Sequence, residues 1–218
     1  MAIATPEAVR FATARTAWTR LLPPLAGIGL VVGLFVSFNS PLVQDSGDTP
    51  AEVVAKVSDH RTWTFVVLVY ALASVGLAGG FVAGLYTRLR GVATELESSL
   101  LLVGGIVFAV CFPLALIFFQ APLADMPDDH ARALAEAEAY LTFDDAAWVT
   151  LAAAGVGAAV MAVPASLAAI RSGVPKWLGW LGILAGILSL ATFIVIGMIA
   201  WALWILVASI VLLVAREA

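Results

Sequence analysis

WLGWLGILAGILSLATFIVIGMIAWALWILVASIVLLVA, residues Trp177 to Ala215, is a run of 39 residues without one Asp, Glu, Lys, Arg or His, closed by Lys176 and Arg216. As one helix it would be about 58 Å long at 1.5 Å per residue, roughly twice the ~30 Å hydrocarbon core of a bilayer. The run is therefore expected to fold back and cross twice, reversing near Gly197. Both flanks are cationic, and cations collect on the cytoplasmic side of a membrane. That places Lys176 and Arg216 inside and sets the direction of every span upstream.

Composition agrees. Of 218 residues 62% are hydrophobic and only 12% charged, against about 25% charged in a soluble domain, and mean hydropathy is +1.04. The sequence thus reads as one integral membrane domain over 1–218. Cys111 is the single cysteine, which excludes an internal disulfide and dithiol chemistry. A net charge of -4 argues against a nucleic-acid partner.

Working back from the final hairpin, residues 1–20 carry Arg10, Arg15 and Arg20 against Glu7 and are expected outside the membrane core. The first apolar run, Leu21 to Phe38, opens with Pro23 and Pro24, a pair suited to the first turn of a helix. Ser37-Phe38-Asn39-Ser40 offers no small-residue cleavage site, so the run reads as a retained span. In the next loop Thr49-Pro50-Ala51-Glu52 is a capping box with proline at the first helical position. Val53, Val54 and Val57 then share one face, and the short helix is expected to lie on the membrane surface. The second span, 63–86, carries Gly76, Gly80 and Gly84 at four-residue spacing, and the final hairpin carries Gly182 and Gly186. Such glycines let helices approach closely in lipid, where apolar surface gives no drive to associate.

The third span, 99–120, contains Pro113 beside Cys111. The second polar loop holds a helix over Pro127 to Leu141, and Thr142-Phe143-Asp144-Asp145 caps a fourth span over 147–170 that contains Pro164. With the last two spans at 177–195 and 198–215, the expected fold is an all-α bundle of six transmembrane helices with both termini cytoplasmic. This order puts 8 Lys and Arg residues on the inner face and 3 on the outer. Net charge then divides into +4 inside and -8 outside, in the sense the cation rule requires.

No expected span contains a charged residue or a histidine. Retinal attachment, haem ligation between helices, intramembrane proteolysis and proton-coupled transport all need such groups. What remains at depth is neutral: Tyr70, Ser74, Thr150, Ser166, Ser189, Thr192 and Ser209. The outer loops supply one candidate constellation, Asp59 and His60 with Asp129 and His130 beside Asp128. Two imidazoles and a carboxylate could hold zinc or copper, or titrate between about pH 5 and 8. The Asp-His pairs also give spans 1–2 and 3–4 a faint mutual echo.

Thr49-Pro50-Ala51-Glu52-Val53-Val54, running through Asp59-His60-Arg61 into a glycine-rich span, resembles a family of small bacterial membrane proteins of unknown function. So does Pro175-Lys176-Trp177-Leu178-Gly179-Trp180-Leu181-Gly182. The resemblance implies a six- or seven-helix protein of the bacterial cytoplasmic membrane and transfers no catalytic residue or cofactor. The expected function is a non-enzymatic accessory or scaffold component of a membrane assembly. Its partners are the lipid bilayer and another membrane protein or a second copy of the chain. A carrier for a neutral or lipid-like molecule, and an outward metal or pH sensor, are the alternatives.

Overall fold

The structure is a computed structural model that describes residues 6–40, 42, 48–124, 127, 129–172, 175–191 and 195–214. Seven helices follow in order: α1 Pro6–Phe38, α2 Pro50–Asp59, α3 Arg61–Leu89, α4 Glu95–Ala124, α5 His130–Arg171, α6 Lys176–Ser189 and α7 Val195–Val214. No strand occurs among the described residues. Five helices contain a segment long and apolar enough to cross a membrane: Arg20–Phe38, Arg61–Leu89, Glu95–Phe119, His130–Arg171 and Ile196–Leu213. Their outward faces are apolar as well, with Phe35 and Phe65 each 69% exposed. Such a surface suits lipid, not water.

Six full spans were expected, and here the structure differs. α6 has 14 residues, about 21 Å at 1.5 Å per residue, short of a ~30 Å hydrocarbon core. The reversal begins at Leu190 and Ala191, not at Gly197, which is buried within α7. The Ser189 hydroxyl donates to the Ala185 carbonyl at 2.7 Å, a back-bond that loosens a helix end. In a membrane helix glycine packs more often than it breaks, so Gly197 was a poor stop signal.

Two further boundaries move for physical reasons. Pro23 and Pro24 do not start a helix but lie inside α1. Having no N–H, they leave the carbonyls four residues back without their helical donors. Gly84 of α3 faces Pro23 closely enough that any β-carbon would collide with the ring, so the glycine makes room for the proline. Likewise, Thr142-Phe143-Asp144-Asp145 does not start a helix. α5 runs unbroken through it, with the Thr142 hydroxyl turned back to the Glu138 carbonyl at 3.4 Å.

Paired contacts fix the direction of packing. Gly33 and Pro23 of α1 meet Tyr70 and Gly84 of α3, while Phe119 and Gly104 of α4 meet Trp148 and Gly157 of α5. Each pair is therefore antiparallel. The Tyr70 hydroxyl donates to the Leu30 carbonyl at 2.6 Å, tying α3 to α1. At the centre Phe108 and Phe112 stack with centroids 5.4 Å apart, and Trp201 of α7 sets its edge against both at 5.3 and 5.4 Å.

The closest helix contact is between α4 and α5. A β-carbon on Gly104 would come within 2.6 Å of the Met161 amide nitrogen, and one on Gly157 within 2.6 Å of the Phe108 nitrogen. Both obstacles are backbone, which cannot swing away as a side chain can. Gly76, by contrast, has nothing within 4 Å of its β-position, and Gly80 only Ala26 Cβ at 3.5 Å. Gly76 thus meets no other helix among the described residues. Four-residue spacing defines a stripe but not its partner.

Gly157→Ala is expected to lower stability by about 1–3 kcal/mol through overpacking. Gly76→Ala should be neutral or slightly stabilising, because alanine is the better helix former. Thermal melts in mild detergent, followed by circular dichroism, check both; equal melting temperatures for the two variants would contradict the packing described.

Candidate functional site

The polar residues gather at two opposite ends of the bundle. At one end the two long polar connections form a joint structure. Thr49 caps α2: its hydroxyl accepts from the Glu52 amide at 3.4 Å, and the Glu52 carboxylate accepts from the Thr49 amide at 2.7 Å. Asp48 reaches Lys56 at 2.6 Å. With both termini held, α2 turns Val53 and Val57 inward, 1% and 3% exposed. They meet α5 rather than a membrane surface. Leu42, Val53, Val57, Ala137 and Tyr140 form a small second core, flanked by Val54 and Leu141.

This contact is possible because α5 is 42 residues long, about 63 Å against a ~30 Å hydrocarbon core. Its first turns stand clear of the apolar zone and give α2 a wall to pack on. The resulting platform exposes Glu52, Asp59, Asp129, Glu138 and Asp145, with Asp48, Glu136 and Asp144 half-buried. Lys56, Arg61 and Arg132 are the cations described at this end, and Lys56 is engaged by Asp48.

The metal constellation is not assembled. The His60 ring nitrogen Nδ1 lies 3.1 Å from the Lys56 carbonyl, and its backbone ends α2 and begins α3. Asp129 caps α5, its carboxylate accepting from the Ala131 and Arg132 amides at 3.0 and 3.1 Å. His130 and Asp59 are both at the surface, His130 exposed as the first residue of α5. Asp128 lies outside the described residues. Among the described residues no group of three or more His, Cys, Asp or Glu could hold a metal ion. Capping chemistry places Asp129, and His60 stands at the junction of two helices.

Most of the neutral polar groups at depth are satisfied within their own helix. Ser74, Thr150 and Ser209 donate to the Ala71, Ala146 and Ile205 carbonyls at 2.6–2.7 Å, as Ser189 does to Ala185. Thr192 lies outside the described residues. Ser166 is different. It is 3% exposed and borders a pocket of about 90 Å³ lined by Leu85 and Leu89 of α3, Ser166 of α5, Gly179 of α6, and Trp204 and Val211 of α7, among others. Gly182 lets Ser166 and Trp204 pack against α6: a β-carbon would collide with the Ser166 hydroxyl and come within 2.6 Å of the Trp204 nitrogen Nε1. Gly186, one turn on, packs against Val163 at 2.9 Å on the same criterion. Phe81 of α3 stands edge-on to Trp204, ring centroids 6.2 Å apart.

The pocket sits at the end opposite the platform. There α4 is capped by a second box that sequence reasoning missed, Thr94 to Glu97, with amide-to-carboxylate distance 2.8 Å. Its S/T-x-x-E spacing was visible in Thr94-Glu95-Leu96-Glu97. Arg171 donates to the same Glu97 carboxylate, so an ion pair joins the start of α4 to the end of α5. Trp204 was also missed, since an indole inside a continuous apolar run carries no signal of its own.

Compared with protein-family models, curated proteins and solved structures, the chain matches none.

The Glu52 carboxyl titrates below its ordinary range, chiefly because the Thr49 backbone N–H donates to it and secondarily because the Thr49 hydroxyl does. A depressed carboxylate stabilises above its unfolded-state value and loses that contribution as pH falls through the folded value. Amide exchange across α2, after correction for intrinsic rates, is therefore expected to accelerate on acidification below the ordinary glutamate range. In Glu52→Gln exchange should be faster near neutrality, with that acid step diminished. An identical pH profile in the variant would contradict the role given to Glu52.

Proposed function

We propose that the protein is a non-enzymatic component of a membrane assembly, and that the α2–α5 platform is its recognition surface. The observation that carries this is the docking of Val53 and Val57 on Ala137 and Tyr140. Two polar connections of a membrane protein that needed only to be solvated would have no reason to share an apolar core. Sharing one holds a mainly acidic surface in fixed geometry, and preorganised surfaces bind with less loss of entropy. The complementary partner is a protein presenting a basic face.

In this reading the chain lies in the bacterial cytoplasmic membrane with the platform outward and both termini cytoplasmic. Arg88, Arg90, Arg171 and Lys176 then face the cytoplasm, as the cation rule favours. A carrier of neutral solutes is the weaker reading, because Phe108, Phe112 and Trp201 fill the centre of the bundle.

Orientation is tested with single cysteines in a Cys111→Ser background. A membrane-impermeant maleimide applied to intact cells should label Ala51→Cys on α2 at once. It should label Gly91→Cys, in the exposed α3–α4 turn, only after permeabilisation. The reverse pattern would invert the topology.

Recognition is tested with a photocrosslinking residue at the exposed Glu138 position. One dominant protein adduct is expected, weakened several-fold by Glu136→Lys or by raised salt. Val57→Asp, which places a charge in the second core, should abolish the adduct while the spans remain folded. Adducts that are absent, or indifferent to all three changes, would remove the proposal.

A further inference from the structure

We propose that the outward ends of α1 and α3 form a mouth that opens transiently to water, with the Tyr70–Leu30 hydrogen bond as its floor. Three buried polar atoms have no hydrogen-bond partner among the described residues: Ser37 Oγ, Thr64 Oγ1 and Trp201 Nε1. Trp201 has the Phe108 and Phe112 rings beside it, and π faces accept an N–H weakly. The other two are hydroxyls on residues each 4% exposed. A hydroxyl on a helix ordinarily turns back to a carbonyl three or four residues earlier. Ser74, Ser189 and Ser209, even more deeply buried, all do so. Ser37 and Thr64 do not.

Both hydroxyls stand at one level, on the buried sides of neighbouring helices. α1 and α3 run antiparallel, and the Tyr70 hydroxyl meets the Leu30 carbonyl between them. Ser37 lies seven residues beyond Leu30, about 10 Å outward, and Thr64 six residues before Tyr70, about 9 Å outward. Seven residues are nearly two turns, so Ser37 falls in line with Leu30 and Thr64 with Ala71. Leu30 and Ala71 are 1% and 0% exposed. Each hydroxyl is also close to a helix end, since α1 stops at Phe38 and α3 starts at Arg61.

A hydroxyl sealed from water without an acceptor gives up its hydration and gains nothing in return. Parting the two helix ends lets water reach both groups and restores what was lost. The shut state is therefore less favoured over the open one than it would be with apolar side chains at these positions. Helix ends are also where local opening is easiest. Further in, the Tyr70–Leu30 bond and the close fit of Gly33 against the Tyr70 ring hold α1 to α3. The opening is thus confined to the turns outside that bond. His60 joins α3 to α2 without a gap, so the movement reaches the platform.

Val67, fully buried one turn inward of Thr64, reports on the mouth. In a Cys111→Ser background and in lipid nanodiscs, Val67→Cys should react slowly but completely with a water-soluble methanethiosulfonate. Ala78→Cys, eleven residues deeper and also buried, should stay unlabelled over the same time. Ser37→Ala with Thr64→Val, which nearly preserve shape and remove both hydroxyls, should slow Val67→Cys labelling about tenfold. The same pair should leave the melting temperature equal or higher. A lower melting temperature would mean that the hydroxyls are bonded in the shut state, and would overturn the proposal. So would an unreactive Val67→Cys, or labelling indifferent to the double substitution. Equal labelling of Ala78→Cys, which marks global unfolding, would overturn it as well. Should a cysteine variant fail to fold, amide exchange over residues 64–71 without engineered cysteines decides: the double substitution must slow it, and unchanged exchange overturns the proposal.

Discussion

The bundle depends on one contact, the backbone-on-backbone approach of α4 and α5 at Gly104 and Gly157. In lipid no hydrophobic effect drives two helices together, so association rests on van der Waals packing and its closeness. Removing both β-carbons at the crossing lets the amide of Phe108 and that of Met161 lie where side chains would otherwise stand. α5 is the helix that this contact fixes. It bears the wall for α2 at one end and Ser166 and Arg171 at the other. Displacing it would move every polar feature described.

Much of this was legible in the residues, and the failures have identifiable causes. Long apolar runs gave the helices, and Thr49-Pro50-Ala51-Glu52 gave the start of α2 with its cap. The segregation of cations toward one end also followed from the linear order. Boundaries were harder. Thr142-Phe143-Asp144-Asp145 looks locally like a helix start, yet no glycine or proline stands between His130 and Ala154, so a continuous helix was equally open to the chain. Burial of Ala147 and Tyr140 against neighbours settled it. The face of α2 was read correctly as apolar, but the same valines suit a bilayer surface and a helix wall.

Candidate sites fared worse because a sequence shows residue types and not their engagements. Asp129 and His60 are metal-ligand residues by chemistry and helix-end residues by position. Ser166 was one of seven neutral polar groups with no feature to distinguish it. Only the folded chain separates it from Thr150, whose hydroxyl is already spent on the Ala146 carbonyl. The glycine stripe on α3 was likewise visible while its partners were not: Gly84 meets a proline, and Gly76 meets nothing among the described residues.

The shortness of α6 bears on the membrane itself. At about 21 Å it is less than half as long as α4, whose 30 residues extend about 45 Å. Apolar length therefore differs from one flank of the protein to another. Lipid next to α6 must compress or tilt to match it, while lipid next to α4 can stay at full thickness, and each ångström of mismatch costs a fraction of a kcal/mol. The protein acts as a wedge in the bilayer. The surroundings that cost such a flank least are a thin or easily deformed membrane.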